Sequence, residues 1–351
     1  SDLTDELVDG YIGARKAHYK VLRGKYINMI VFKILVAAGL LALGGWLVLD
    51  QKMNIGQFVA SEIIIILLLN SIEKVVLNME IIYDVLTGLD KLGQVTDLPL
   101  EEESGMNLNI DEKSAGLHLL FQDAAFRYPN EEKNSIHDFS IDILPGEKIN
   151  FTGKSGGGKS TLLNIASASF PITHGNFTIN DIPVRNLDIP SLRKSIAVIR
   201  STDQIFRGSV LENITLGIDN PDLEKISAIC ERLGLSNFIF QSKDGFNTEL
   251  LPEGRGIPSA AAFKILVARA LILEPKLLLL GRGLDGLSPH DQELVVKEIF
   301  DPKYKFTLLA FSNQKLLSEK CSRIVWLENG SIQDTMTPEE AYKKNIFNLF
   351  N

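Results

Sequence analysis

The sequence predicts a membrane-spanning helical hairpin followed by an α/β domain built on a phosphate-binding loop. Three observations carry this prediction. Residues 26–49 are almost wholly apolar, and a second apolar stretch covers about 55–77. From residue 117 onward, short apolar strand-like runs alternate with helix-period segments. Between one such strand and one such helix lies Gly153-Lys154-Ser155-Gly156-Gly157-Gly158-Lys159-Ser160, which fits G-x-x-x-x-G-K-[ST]. A length of 351 residues suits about two domains.

The first apolar run is broken only by Asn28 and Lys33 and is long enough to cross a hydrocarbon core of about 30 Å. Gly44-Gly45-Trp46 near its end fits an interface anchor. Residues 50–56 form a polar turn, and an unbroken apolar segment, 63–69, anchors the second span. Arg15, Lys16, Lys20, Arg23 and Lys25 precede the first span. By the positive-inside rule that side is cytoplasmic, and so is everything after about Ser71. Lys33 is expected to snorkel or to pair. Glu62 is either an intramembrane functional carboxylate or an interfacial one. The apolar period continues through Ile72, Val75, Val76, Met79, Ile82, Leu86 and Leu89, which predicts a helix running out of the membrane. The competing reading is a buried hairpin of a soluble protein.

Residues 93–116 read as a linker, with Pro99 and the run Glu101-Glu102-Glu103. The division expected is therefore 1–92 membrane part, 93–116 linker and 117–351 α/β domain. Strands are predicted at 117–121, 125–128, 140–143, 148–152, 196–199, 276–280, 307–311 and 324–327. Helices are predicted at 159–167, 224–233, 261–273 and 290–300, with a helical insertion between about 203 and 255. His118 reads as a solvent-facing strand residue. The net charge of −8 and the lack of a basic stripe argue against a nucleic-acid partner. Cys230 and Cys321 lack metal spacing and read as buried or free thiols of a reducing compartment.

The phosphate loop has a physical logic. Its glycines let successive backbone N–H groups turn inward around a phosphate, and the following helix contributes its positive end. Lys159 is placed to reach the β- and γ-phosphates, and Ser160 to ligate Mg²⁺. A nucleoside triphosphate is the ligand class implied.

From here the chain resembles one half of an ATP-binding cassette exporter, over nearly its whole length. Tyr128, in Phe126-Arg127-Tyr128-Pro129, is similar to the family's adenine-stacking aromatic. Leu144-Pro145-Gly146-Glu147 resembles the family's turn before the loop strand. Residues 207–214 resemble the segment after its glutamine loop. Val267-Ala268-Arg269-Ala270-Leu271 resembles the helix before its second Walker motif, and residues 327–332 its late hairpin. The resemblance implies ATP and Mg²⁺ as cofactors, bound by Tyr128, Gly153, Lys154, Ser155, Gly156, Gly157, Gly158, Lys159, Ser160 and Thr161. It implies a lipid bilayer, a second half (identical or not) and a transported substrate as partners. It places the α/β domain in the cytoplasm beneath a plasma or inner membrane. The two spans resemble the last two of such a half, so the chain reads as the C-terminal part of a longer protein. The cargo is not legible.

Departures from the family cluster around the catalytic positions. The family's apolar strand ends in an Asp that supports Mg²⁺ and a Glu that polarises water; here Gly281-Arg282 follow residues 277–280. Loss of a general base costs roughly 10²–10⁴ in rate. The signature segment aligns with Ile257-Pro258-Ser259-Ala260-Ala261, without its glycines. Ser259 can still offer a hydroxyl at the following helix start if the register slips by one. The switch His is replaced by Asn313, which cannot exchange a proton near neutral pH. The loop Gln aligns with Ser201, and the D-loop carboxylate with Ser288, although Asp285 lies close by. If the alignment is off, Asp285 serves the metal. The expectation is a transporter subunit whose own site hydrolyses slowly or not at all. The alternatives are a non-catalytic regulatory or scaffolding subunit and, if the hairpin is globular, a soluble phosphate-loop kinase or GTPase.

Overall fold

A computed structural model describes residues 2–98, 105–108, 116–129, 131–200 and 204–344. The chain divides into two compact units, Ser1–Glu101 and Glu102–Asn351.

The first unit is a helical hairpin, α1 (Asp2–Leu49) and α2 (Ile55–Thr96). Each is long and apolar enough to cross a membrane. At 1.5 Å per residue, the helices run about 72 and about 63 Å, well beyond one bilayer core. The extra length of α1 covers the polar residues before 26, and that of α2 covers those after 77. The turn is closed by a capping box: Asn54 Oδ1 accepts from the Gln57 amide at 2.7 Å, and Gln57 Oε1 accepts from the Asn54 amide at 3.1 Å. Near the turn the helices approach closely, because a Cβ at Gly44 would run into the Phe58 ring. Farther down, Lys33 of α1 pairs with Glu73 of α2. That is the pairing alternative for Lys33, and it also accounts for a carboxylate within the second apolar stretch. Glu62 is only partly buried.

The second unit carries two main sheets. One is antiparallel, in the order β2-β1-β4-β5: β1 (Leu119–Phe126), β2 (Ile136–Ile143), β4 (His174–Ile179) and β5 (Ile182–Pro183). The other is ordered β12-β11-β3-β10-β9-β6. It comprises β3 (Lys148–Thr152), β6 (Ile196–Ile199), β9 (Leu277–Leu280), β10 (Thr307–Ala310), β11 (Arg323–Glu328) and β12 (Ser331–Met336). All its pairings are parallel except β11 with β12. Leu277, Leu278, Leu279 and Leu280 are all 0% exposed, which is why this strand reads as an unbroken apolar run.

Helices α3 (Lys159–Ala166), α4 (Ile189–Arg193), α8 (Ser259–Ile272), α9 (Pro289–Ile299), α10 (Lys315–Ser318) and α11 (Pro338–Lys343) flank these sheets. Between Gln204 and Arg255 lie α5 (Val210–Thr215), α6 (Leu223–Arg232), α7 (Ser236–Gln241) and a small ribbon of β7 (Gly208–Ser209) with β8 (Glu249–Leu250). The insertion is thus mostly helical, pinned by a short β-ribbon.

One sequence expectation needs correction. Residues 117–121 and 125–128 are not separate strands. They belong to one strand, β1, which bulges at Asp123 (φ 47) and shifts register against both β2 and β4. Asp tolerates the left-handed conformation, and its polar side chain interrupts the apolar pattern. His118 lies just before β1; its Nε2 is 2.7 Å from Asp142 Oδ1.

Candidate nucleotide-binding site

The parallel sheet builds the site. Because β3, β10, β9 and β6 run the same way, their C-terminal ends share one edge of the sheet, where ligands bind in open α/β folds. β3 delivers the loop 153–160, β9 delivers Gly281 and Arg282, β10 leads into Asn313, and β6 delivers Arg200.

The loop has the shape its sequence requires. Gly156 and Gly158 have φ of 81 and 101, the left-handed region that side chains resist. A Cβ at Gly153 would run into the carbonyl of Leu327. The loop is tied to the turn between β11 and β12, since the Gly330 amide donates to the Gly157 carbonyl at 3.1 Å. The Lys159 ammonium donates to the carbonyls of Gly153 and Lys154, the latter at 2.9 Å. Burial, and then the Arg282 charge, lower the Lys159 pKa to about 8.

A cavity of ≈ 380 Å³ opens over the loop, lined by Ser155, Gly156, Gly157, Gly158, Lys159, Ser160, Thr161 and Arg282. Asn134, Ser135 and Asn329 complete its wall. Sequence reasoning missed those three, because turn residues carry no periodic signal. A second cavity of ≈ 210 Å³ shares Lys159, Ser160 and Arg282 with the first and adds Asn164, Arg200, Gly281 and Phe311. Arg200 was also missed. Its guanidinium donates to Asn164 Oδ1 (3.3 Å), Ser167 Oγ (3.2 Å) and Ser169 Oγ (3.0 Å), all in or just after α3.

Other predicted residues stand nearby in different roles. Gly153 and Lys154 act through their carbonyls, while the Lys154 ammonium pairs with Glu328 at 3.4 Å. Tyr128 Oη is 3.1 Å from Thr161 Oγ1, and its ring makes edge contacts with Phe126 and Phe170. Asn313 sits at the base of the loop: its Oδ1 accepts from Thr152 Oγ1 (3.0 Å) and the Gly153 amide (3.2 Å). Buried Asn150 ties β3 to the segment after β10, donating to the Ser312 carbonyl (2.9 Å) and Ser318 Oγ (2.7 Å). Asp285 Oδ1 accepts from Gln314 Nε2 at 2.7 Å and lines neither cavity. Ser288 caps α9 through the Asp291 amide at 3.2 Å. Ile257, Pro258, Ser259, Ala260 and Ala261 form the entry to α8, with Ser259 exposed in its first turn. Ser201 lies outside the described residues.

These residues fit a triphosphate tail: turned-in amides, a buried Lys and a second cation. They do not fit a divalent metal held by the protein. Ser160 offers its hydroxyl and Ser135, Ser155 and Thr161 theirs, but no carboxylate lines either cavity among the described residues. Beside phosphate oxygens and water, Mg²⁺ in such sites is held through one or two carboxylates.

Residues 136–281 match the family model described as ABC transporter. The chain is 23% identical over 342 residues to the alpha-hemolysin translocation ATP-binding protein HlyB of Escherichia coli O157:H7, covering 97% of this chain and 48% of that protein. It is 24% identical over 318 residues to the putative multidrug export ATP-binding/permease protein YgaD of Bacillus subtilis (strain 168), covering 89% and 54%. It superimposes on a bacterial Atm1-family ABC exporter solved with ATP bound, with a TM-score of 0.79, 17% identity and coverage of 92% and 57%. The chain carries an ABC transporter domain and is homologous to ABC exporters through both its helical and its α/β parts. It spans about half the length of these curated relatives.

Proposed function

We propose that this chain is the nucleotide-binding part, with two membrane spans, of an ABC exporter subunit that uses ATP binding more than ATP cleavage. The single observation behind this reading is the contrast across one cavity. The phosphate loop keeps its glycines, Lys159 and Ser160, while the facing wall holds Gly281 and Arg282 where a hydrolytic site needs carboxylates. Backbone amides and Lys159 bind and orient the tail, and Tyr128 beside Thr161 takes the adenine. Water activation lacks a base, because a guanidinium holds no proton acceptor at neutral pH. The hairpin spans the membrane with the α/β unit on the cytoplasmic side. A second half, identical or not, completes the site through its signature segment, and ATP shifts the pair toward a closed state.

ATP turnover by the purified chain in proteoliposomes, alone, tests the reading. The expected result is ATP binding with turnover at least about 100-fold below that of a relative with both carboxylates. Equal turnover would end the claim of an impaired site. A second reading is favoured by the same acid-free wall: a regulatory or scaffolding subunit that ATP only stabilises. Loss of transport in Lys159→Ala supports the first reading. Unchanged transport with a lowered Tm supports the second.

A further inference from the structure

The two cavities that meet at Lys159, Ser160 and Arg282 hold an unusual charge set. Among the described residues, the charged side chains lining them are Lys159, Arg200 and Arg282. In a phosphate-loop site a divalent cation normally bridges the tail oxygens and offsets their charge. Here such an ion would enter among three cations, with neutral hydroxyl and amide oxygens but no carboxylate among the described lining residues, so repulsion opposes it and no anionic ligand offsets that.

Nor is this wall one atom away from an acidic site. A Cβ at Gly281 would stand 2.8 Å from the Ile199 carbonyl and 3.1 Å from Leu163 Cδ1. The Gly281 amide already donates to that carbonyl at 2.7 Å, which locks β9 against β6 at this point. The backbone is closed around glycine, and the next side chain to reach the cavity is Arg282.

We propose that Arg282, acting with Lys159, takes over the charge-neutralising role of the metal, so that the chain binds free nucleoside triphosphate without Mg²⁺. The inference rests on the nucleotide-binding reading above and adds the ionic form of the ligand. A guanidinium presents a planar fork of donors that matches phosphate oxygens and carries its charge at any physiological pH. The metal-free triphosphate is more anionic than its magnesium complex, and the added cation matches that form. Arg200, fixed against the end of α3 by Asn164, Ser167 and Ser169, keeps the field positive behind it.

The test is titration of the full 351-residue chain, in lipid nanodiscs, with a fluorescent N-methylanthraniloyl ATP, in EDTA and in excess Mg²⁺. The expected Kd in EDTA is equal to or tighter than that in Mg²⁺. Arg282→Ala weakens binding in EDTA by about tenfold or more and weakens ATP more than ADP; Arg282→Lys retains part of the affinity. Arg282 is exposed, and a melting curve on each variant separates loss of fold from loss of affinity. Binding by the parent chain only in Mg²⁺ overturns the proposal and leaves the nucleotide reading standing. An Arg282→Ala variant that binds like the parent in EDTA also overturns it. No binding in either condition overturns both.

Discussion

The two walls of the cavity over the phosphate loop are built differently. The loop wall, residues 153–160, works through its backbone: turned-in amides, glycine conformations and a carbonyl cradle around Lys159. The facing wall, at the ends of β9 and β10, carries Gly281, Arg282 and Phe311, and the polar group it presents is a side chain, the Arg282 guanidinium. On the function proposed above, binding and cleavage draw on separable parts of one site. A backbone cradle tolerates little change, since each glycine meets a neighbour or a forbidden φ. The facing wall closes on Gly281 in the same way, but its next residue, Arg282, is exposed and can change with the fold kept.

The comparison can be broken, in order of expected effect, as follows. Lys159→Ala should lower ATP affinity by about 100-fold or more in an equilibrium titration; a variant that binds like the parent would mean the loop wall is not the binding wall. Gly153→Ala should cost about 3 kcal/mol of stability in chemical denaturation, because φ is 148 and the added Cβ meets the Leu327 carbonyl. Its counterpart on the facing wall, Arg282→Ala, should stay within about 0.5 kcal/mol. Equal losses at the two positions would erase the distinction. Asn150→Ala should cost about 2 kcal/mol, since it strands the buried Ser312 amide that Asn150 Oδ1 accepts at 3.2 Å. The smallest effect concerns the thiols. Burial pushes Cys230 and Cys321 up to about 12. Neither should react with maleimide at pH 8 until denaturant is added. Cys321, just after α10, reacting first in the native state would show that the facing wall opens locally.

The elements that sequence read well are those with a strong local pattern. β3 and β6 match their predicted ranges because short β-branched and apolar runs end at clear turns. α3, α6, α8 and α9 start or stop within two residues of expectation, each with a capping or packing signal of its own. β4 and α4 escaped notice because they are short and their burial is decided by distant partners. Asn313, at the position of the family's switch residue, holds Thr152 and Gly153 through its side-chain oxygen, a role set by where β10 lies beside β3. The pairing of Lys33 with Glu73 likewise required the register of α1 on α2, which no single-helix pattern encodes.

By itself, the chain's order of residues determined the phosphate loop, since eight consecutive residues between one strand and one helix suffice to curl amides around an anion. It also determined two helices apolar enough for a bilayer, because length and hydropathy are additive along the chain. The tertiary structure alone decided which side chains confront that loop. Arg200, Arg282 and Asn329 come from segments far apart in sequence, and only the parallel stacking of β3, β10, β9 and β6, with the β11–β12 turn beside them, brings them to the two cavities that share Lys159, Ser160 and Arg282. Charge in that cavity is a sum over neighbours in space, and the chain's linear order does not contain that sum.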